Sequence, residues 1–296
     1  MPANHLVLIS VGNTRTRIAT ANMGKLEPSR VLLNAERAAL FAAAQDAVTA
    51  LPAGDAAVLL ASVNDPVAEP LVEALAPLTG QAMGRPMIRI GRGMPVPIRT
   101  ALTPPVTVGT DRLLNALAAN GKSGEACVVI DAGTAITIDF VDKWGIFQGG
   151  CIAPGLGLML KSLHEHTAAL PLVAPPREPV LVGAGIAPLG RTTVEAMTRG
   201  CVAALQGMMR ILVDRYAEFN GSYPRVIATG GDAALLAEGD EWNEVIHIVP
   251  DLILMGMLAA WTLTENPPSP EDGNEQPADD AADADDGDDG DHGSQD

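Results

Sequence analysis

Two short segments of this chain join an apolar run to a glycine and a hydroxyl: Leu8-Ile9-Ser10-Val11-Gly12-Asn13-Thr14 and Val129-Ile130-Asp131-Ala132-Gly133-Thr134. A glycine at such a turn lets backbone N–H groups approach an anion closely, and Thr14 or Thr134 adds a donor to a phosphate oxygen. A single turn of this kind reads most simply as a hairpin. Two copies in equivalent places favour paired turns that hold one nucleotide's phosphates from both sides. Asp131, at a strand end, suits a metal ion or metal-bound water beside those phosphates, or the capping of its own turn. Gly109-Thr110-Asp111-Arg112 sets an acid beside a permanent cation at a helix start. That is a general base with an anion clamp or, as spacing alone prefers, a capping Asp with a surface Arg. Thr229-Gly230-Gly231-Asp232 suits close backbone contact with a nucleobase or phosphate, and equally a plain strand–helix turn. His164 and His166 are two apart on a helix and face different ways, so with no third ligand they make no metal site.

The elements that must position these groups alternate. Apolar and β-branched patterning predicts strands over 5–9, 14–19, 56–63, 128–130, 135–141, 145–152 and 225–228. Breaker-free or capped stretches predict helices over 35–50, 66–78, 110–119, 192–216, 233–237 and 252–263. The recurrence of strand, tight turn and strand near residues 10 and 131 suggests two similar α/β domains, 1–120 and 121–264.

Composition removes several function classes. The formal charge is −17, yet the last 32 residues hold 13 acids and no Lys or Arg, leaving the body at −4. Residues 265–296, Pro-broken and rich in Asp, Gly and Ala, are expected to be a disordered, solubilising tail. No basic stripe replaces phosphate counterions, so nucleic acid is not an expected partner. No apolar stretch reaches about 18 residues and no basic-then-apolar leader opens the chain, so neither a membrane span nor a signal peptide is expected. Only nine aromatics occur, which makes the core aliphatic. Cys127, Cys151 and Cys201 are scattered and odd in number, as buried thiols in a reducing cytoplasm would be.

In order along the chain, these segments resemble the type III pantothenate kinases of the acetate and sugar kinase/Hsp70/actin superfamily. Val11-Gly12-Asn13-Thr14 is similar to the family's first phosphate loop, and Gly109-Thr110-Asp111-Arg112 to its G-x-D-R. Asp131-Ala132-Gly133-Thr134-Ala135 through Asp139 is similar to D-x-G-T-A-x-T-x-D, and residues 149–155 to G-G-x-I-x-P-G. Residues 167–171, 190–193 and 229–232 complete a series spanning about 6–257. The resemblance implies two ribonuclease H-like domains around a nucleotide cleft, usually in a homodimer. It implies transfer of the ATP γ-phosphate to the primary hydroxyl of pantothenate, opening coenzyme A synthesis in the cytoplasm, with Mg²⁺ and a monovalent cation (K⁺ or NH₄⁺).

By position, the resemblance makes Asp111 the proton acceptor. Gly109, Thr110, Arg112 and Thr193 become substrate contacts, with Arg112 meeting the pantothenate carboxylate. Ser10, Gly12, Asn13, Thr14, Arg17, Gly133, Thr134, Gly230 and Gly231 lie on the ATP side, and Asp131 is the cation ligand. Two positions depart from the pattern. Ser10 stands where the first loop normally has Asp, so weaker divalent-metal or ATP binding is expected, with turnover reduced or lost. Leu102 stands where a substrate-contacting Tyr is frequent. Ser10 motivates the rival reading, a non-catalytic homologue that binds nucleotide or pantothenate as a sensor or accessory factor. Another kinase or phosphatase of the superfamily fits the motifs less well.

Overall fold

The structure is a computed structural model, which describes residues 3–80, 84–102, 108–178, 180, 189–237 and 245–265. The acidic tail expected to be disordered lies, from residue 266, outside the described residues.

Strand β1 (His5–Val11) is apolar at nearly every position because both of its faces are covered. It pairs antiparallel with β2 (Arg15–Asn22) and parallel with β5 (Ala56–Ser62). β3 (Lys25–Leu26), β4 (Arg30–Leu33) and β6 (Met87–Arg89) complete a first sheet in the order β3-β2-β1-β5-β6, with β4 on β2. Val7 and Ile9 point to one layer, formed by α1 (Arg37–Thr49) and α2 (Asp65–Leu75). Leu6 and Leu8 point to the other, formed by α3 (Thr110–Ser123) and α7 (Leu252–Glu265). Period-two alternation along one strand thus feeds two cores.

The pattern returns in the second half. β8 (Cys127–Ala132) pairs antiparallel with β9 (Ala135–Val141) and parallel with β11 (Arg225–Thr229). With β7 (Arg99–Thr100), β10 (Ile146–Pro154) and β12 (Ile246–Ile248), the order is β12-β11-β8-β9-β10-β7. α4 (Leu156–Glu165), α5 (Thr193–Asn220) and α6 (Ala233–Ala237) cover one face. Ala116 and Ala119 of α3, with Phe147 and Leu252, cover the other. Two ribonuclease H-like units therefore meet over α3 and α7, helices that pack closely enough for Gly256 to rest on the Leu114 carbonyl.

The expected long helices form, with corrected ends. α5 starts at Thr193, where Thr192 Oγ1 caps it by accepting Glu195 N at 3.2 Å, and runs four residues beyond its expected end until left-handed Gly221 stops it. α2 stops at Leu75 and tightens into a 3₁₀ turn, Ala76–Leu78. α7 extends through Glu265, the first residue assigned to the tail. The sequence patterning missed α4, whose glycine-flanked start hides its periodicity, and the short strands β3, β4, β6, β7 and β12, too brief to show a period.

Candidate active site

The β1–β2 and β8–β9 hairpins each close their tip through the glycine N–H, Gly12 N donating to Arg15 O at 3.0 Å and Gly133 N to Ala135 O at 3.1 Å, the first tip being one residue longer. The sheets bring the tips face to face, with Thr14 Oγ1 and Thr134 Oγ1 hydrogen-bonded at 2.8 Å. Buried Asn34 braces the first tip, its Nδ2 donating to the carbonyls of Gly12 (2.8 Å) and Asn13 (3.1 Å) while its Oδ1 accepts Thr16 Oγ1 (2.7 Å). The turn after β11 comes beside the second tip, since Asp232 N donates to Ala132 O at 3.0 Å. Between the three turns lies a cleft of about 430 Å³, into which Arg15, Arg17 and Lys161 bring positive charge. A smaller cavity of about 110 Å³ adjoins it, with Ser10, Ser62, Arg17, Asp111 and Asp131 in its wall.

Four carboxylates gather at the cleft, Asp111, Asp131 and Asp232 in its wall and Asp139 behind Arg112, and burial raises the proton affinity of each. Asp131 is pushed to about 6, first by loss of solvent and then by the charge of Asp111; the Asn115 amide, donating to its Oδ2 at 2.9 Å, acts in the opposite sense. Asp111, at the start of α3, is raised by burial, against which the Arg112 backbone N–H (2.9 Å to Oδ1) and guanidinium hold it down. Asp139 is raised by burial too, opposed by Arg112, whose Nε lies 3.1 Å from both carboxylate oxygens while Nη2 contacts Oδ1. The same guanidinium stacks 5.6 Å from the Phe147 ring centre. A partly buried acid with raised proton affinity, within a cleft of phosphate-sized turns and cations, is equipped for proton acceptance during phosphoryl transfer.

A family profile for type III pantothenate kinase matches residues 6–215. The chain belongs to the type III pantothenate kinase family. A type III pantothenate kinase of Akkermansia muciniphila is 36% identical over 255 residues, covering 86% of this chain and 97% of its own. One from Dehalococcoides mccartyi is 29% identical over 271 residues, covering 88% and 98%. Among solved structures, a protein assigned as a 2-dehydro-3-deoxygalactonokinase from Sinorhizobium meliloti superposes with TM-score 0.54 at 12% identity, covering 89% of this chain and all of its own, a likeness of fold alone.

In this chain, the two cavities bring together Ser10, Gly12, Asn13, Thr14, Arg17, Asp111, Asp131, Gly133, Thr134, Gly230 and Gly231. Five expected residues stand outside those walls. Gly109 backs the Asp111 carboxylate: a Cβ there would lie 2.5 Å from Asp111 Oδ1, so any side chain would displace the acid. Thr110 turns its side chain to Gly91. Arg112 is committed to Asp139. Leu102 packs beside Gly149 and the α3 core, and Thr193 is exposed at the start of α5.

Sequence reasoning missed several cleft groups. Arg15 reaches across from the first hairpin, its Nη1 2.6 Å from where a Gly231 Cβ would lie. Lys161 sits on the unrecognised α4. Asn115 is one turn after Asp111 on α3, and that i, i+4 spacing was the signal available.

Proposed function

We propose that this chain transfers the γ-phosphoryl group of ATP to the primary hydroxyl of pantothenate, forming 4′-phosphopantothenate at the start of coenzyme A synthesis. The observation that carries the reading is the Thr14–Thr134 closure of two phosphate-type turns over a cleft that also holds Asp111. The pantothenate hydroxyl oxygen forms a bond to the γ-phosphorus while the bond to the β–γ bridging oxygen breaks, and Asp111 accepts the hydroxyl proton. Its raised proton affinity brings it closer to the pH of catalysis than a solvated Asp. Arg15, Arg17 and Lys161 offset phosphate charge, which is most of what such a transfer asks of a protein. Gly12, Asn13, Thr14, Gly133, Thr134, Gly230 and Gly231 take the ATP side; the family resemblance puts pantothenate toward Gly109, Thr110, Leu102 and Thr193, with Arg112 acting from behind Asp111 through its pairing with Asp139.

Asp111 and Asp131 are the carboxylates beside which Mg²⁺ would sit, and the ion would supply charge neutralisation to the phosphates. Among the described residues no group of three or more His, Cys, Asp or Glu forms a protein cage, which suits an ion carried on the nucleotide with Asp111 and Asp131 nearby. A monovalent cation fits Asp131: next to it, Asn115 Oδ1 is buried with no hydrogen-bond partner among the described residues, and a carbonyl oxygen is a hard-cation ligand. A homodimer is supported by apolar side chains left bare on β10 and α5, with Ile152, Ile211 and Phe219 exposed by 62, 61 and 74%. No helix among the described residues is long and apolar enough to cross a membrane. Free thiols and the ATP requirement support a cytoplasmic setting.

The test is pantothenate-dependent ADP formation with ATP, Mg²⁺ and K⁺. Turnover no greater than that of a folded Asp111→Ala control would reject the enzyme reading, and nucleotide binding without turnover would favour the sensor. In an active enzyme, Ser10→Asp raises turnover or lowers the Mg²⁺ requirement; no change means the absent carboxylate is immaterial.

A further inference from the structure

The β1–β2 register places Ser10 directly opposite Arg17, so their side chains emerge on the same face of the sheet. In the second hairpin the position equivalent to Ser10 is Asp131, opposite Thr137. One hairpin thus carries a base without an acid, and the other an acid without a base. Ser10 is buried and uncharged, and Arg17, with only a quarter of its side chain exposed, lines both cavities, where the charge of Asp131 acts on it with no ion pair between the two among the described residues, so a directly paired counter-charge has to come from elsewhere.

That counter-charge arrives from 234 residues away: Asp251 Oδ1 lies 2.6 Å from Arg17 Nη1. Its second oxygen accepts Ser29 Oγ at 2.7 Å, so both carboxylate oxygens are engaged. Asp251 also opens α7, its carbonyl accepting the N–H groups of Leu254 and Met255. It does so at φ +58°, a left-handed conformation that strains a residue other than glycine. The contact is made through Nη1, which leaves the other donors of a five-donor fork for a second anion.

We propose that Asp251 is a positioning residue for the nucleotide, holding Arg17 in the cleft in place of a carboxylate at position 10. The proposal rests on the reading that Arg17 meets ATP phosphates, and the test separates the two. The full chain is compared with Arg17→Met, Asp251→Asn, Ser10→Asp and the double variant Ser10→Asp/Asp251→Asn. Asparagine keeps the shape of Asp251 and tolerates the left-handed backbone, so the exchange removes charge with the fold retained. The measurements are KM for ATP and for pantothenate, the Kd of a non-hydrolysable ATP analogue by calorimetry, and the Tm.

Arg17→Met is expected to weaken nucleotide binding by tenfold or more. Asp251→Asn is expected to weaken it three- to tenfold, with KM for pantothenate within twofold and little change in Tm. In the Ser10→Asp background the Asp251→Asn effect shrinks to within twofold, the coupling expected of residues that share a task. Unchanged nucleotide affinity in Arg17→Met rejects the underlying reading and the proposal with it. A weakened Arg17→Met beside an unchanged or tightened Asp251→Asn overturns the proposal alone. So does an equal rise in both KM values with a fall in Tm, which marks a purely structural residue. An undiminished Asp251→Asn effect in the Ser10→Asp background refutes the substitution for position 10.

Discussion

Replacing Asp131 with Asn is expected to stabilise the ligand-free protein while impairing it as a kinase. Burial and the neighbouring Asp111 displace the Asp131 carboxyl from the ordinary 3.8 to about 6. A displacement of that size corresponds to about 3 kcal/mol of penalty on the ionised form at neutral pH. Asparagine has the same shape and can still accept the Asn115 Nδ2 bond that Asp131 receives at 2.9 Å, so the exchange chiefly removes a charge. Water entering through the cleft screens the site, which trims the gain to about 1–3 kcal/mol, or roughly 3–10 °C in Tm for a body of this size.

The sign follows from proton uptake. The native state binds the Asp131 proton more tightly than the unfolded chain, so the penalty is absent below about pH 4, grows between 4 and 6, and is complete above 6. Thermal unfolding of wild type and Asp131→Asn, followed by circular dichroism in metal- and nucleotide-free buffer at pH 4, 5, 6 and 7.5, measures it. A variant no more stable than wild type at pH 7.5, or a Tm difference that is the same at pH 4 and 7.5, would refute the reasoning. A gain in stability paired with lost activity is the signature of a charge kept for function.

Gly109→Ala should lower kcat by tenfold or more with Tm nearly unchanged, since its Cβ would lie 2.5 Å from Asp111 Oδ1 and push the acid aside; wild-type kcat would contradict this. Gly256→Ala should lower Tm at little cost in activity per folded molecule, because its Cβ would collide with the Leu114 backbone carbonyl where α7 crosses α3, an overpacking worth about 1–3 kcal/mol; calorimetry checks it. Asn115→Leu removes a hydrogen bond that favours ionised Asp131, so the acid limb of the pH–rate profile should move up by roughly one pH unit. An unmoved limb would mean that Asp131 need not be ionised for turnover. Deleting residues 266–296 should leave the kinase constants within error, which steady-state kinetics on the truncated chain would test.

Much of the fold was legible because its signals are local. The doubly covered strands β1 and β8 announce themselves as continuous apolar runs, and α1, α3, α5 and α7 as long breaker-free or capped stretches. Where an element is two or three residues long, as in β3, β6, β7 and β12, its existence depends on a neighbour to pair with. The candidate site divides in the same way. Thr14, Asp111, Asp131 and Thr134 sit in turns and caps whose residue types reveal them. Lys161, Arg15 and Asn115 matter only through what lies opposite.

By itself, the sequence determined two strand–turn–strand units with hydroxyl-bearing tips, an acid at a helix start, an aliphatic core and an acidic tail outside both units. These follow from patterns within about ten residues, the range over which period, capping and turn chemistry act. Tertiary structure alone decided that Thr14 meets Thr134, that Arg112 pairs with Asp139, and that Asp251 reaches Arg17 from 234 residues away. Each pairing depends on strand register and on the packing of α3 against α7. Those are sums of many weak contacts over the whole core, and no short stretch of chain encodes them.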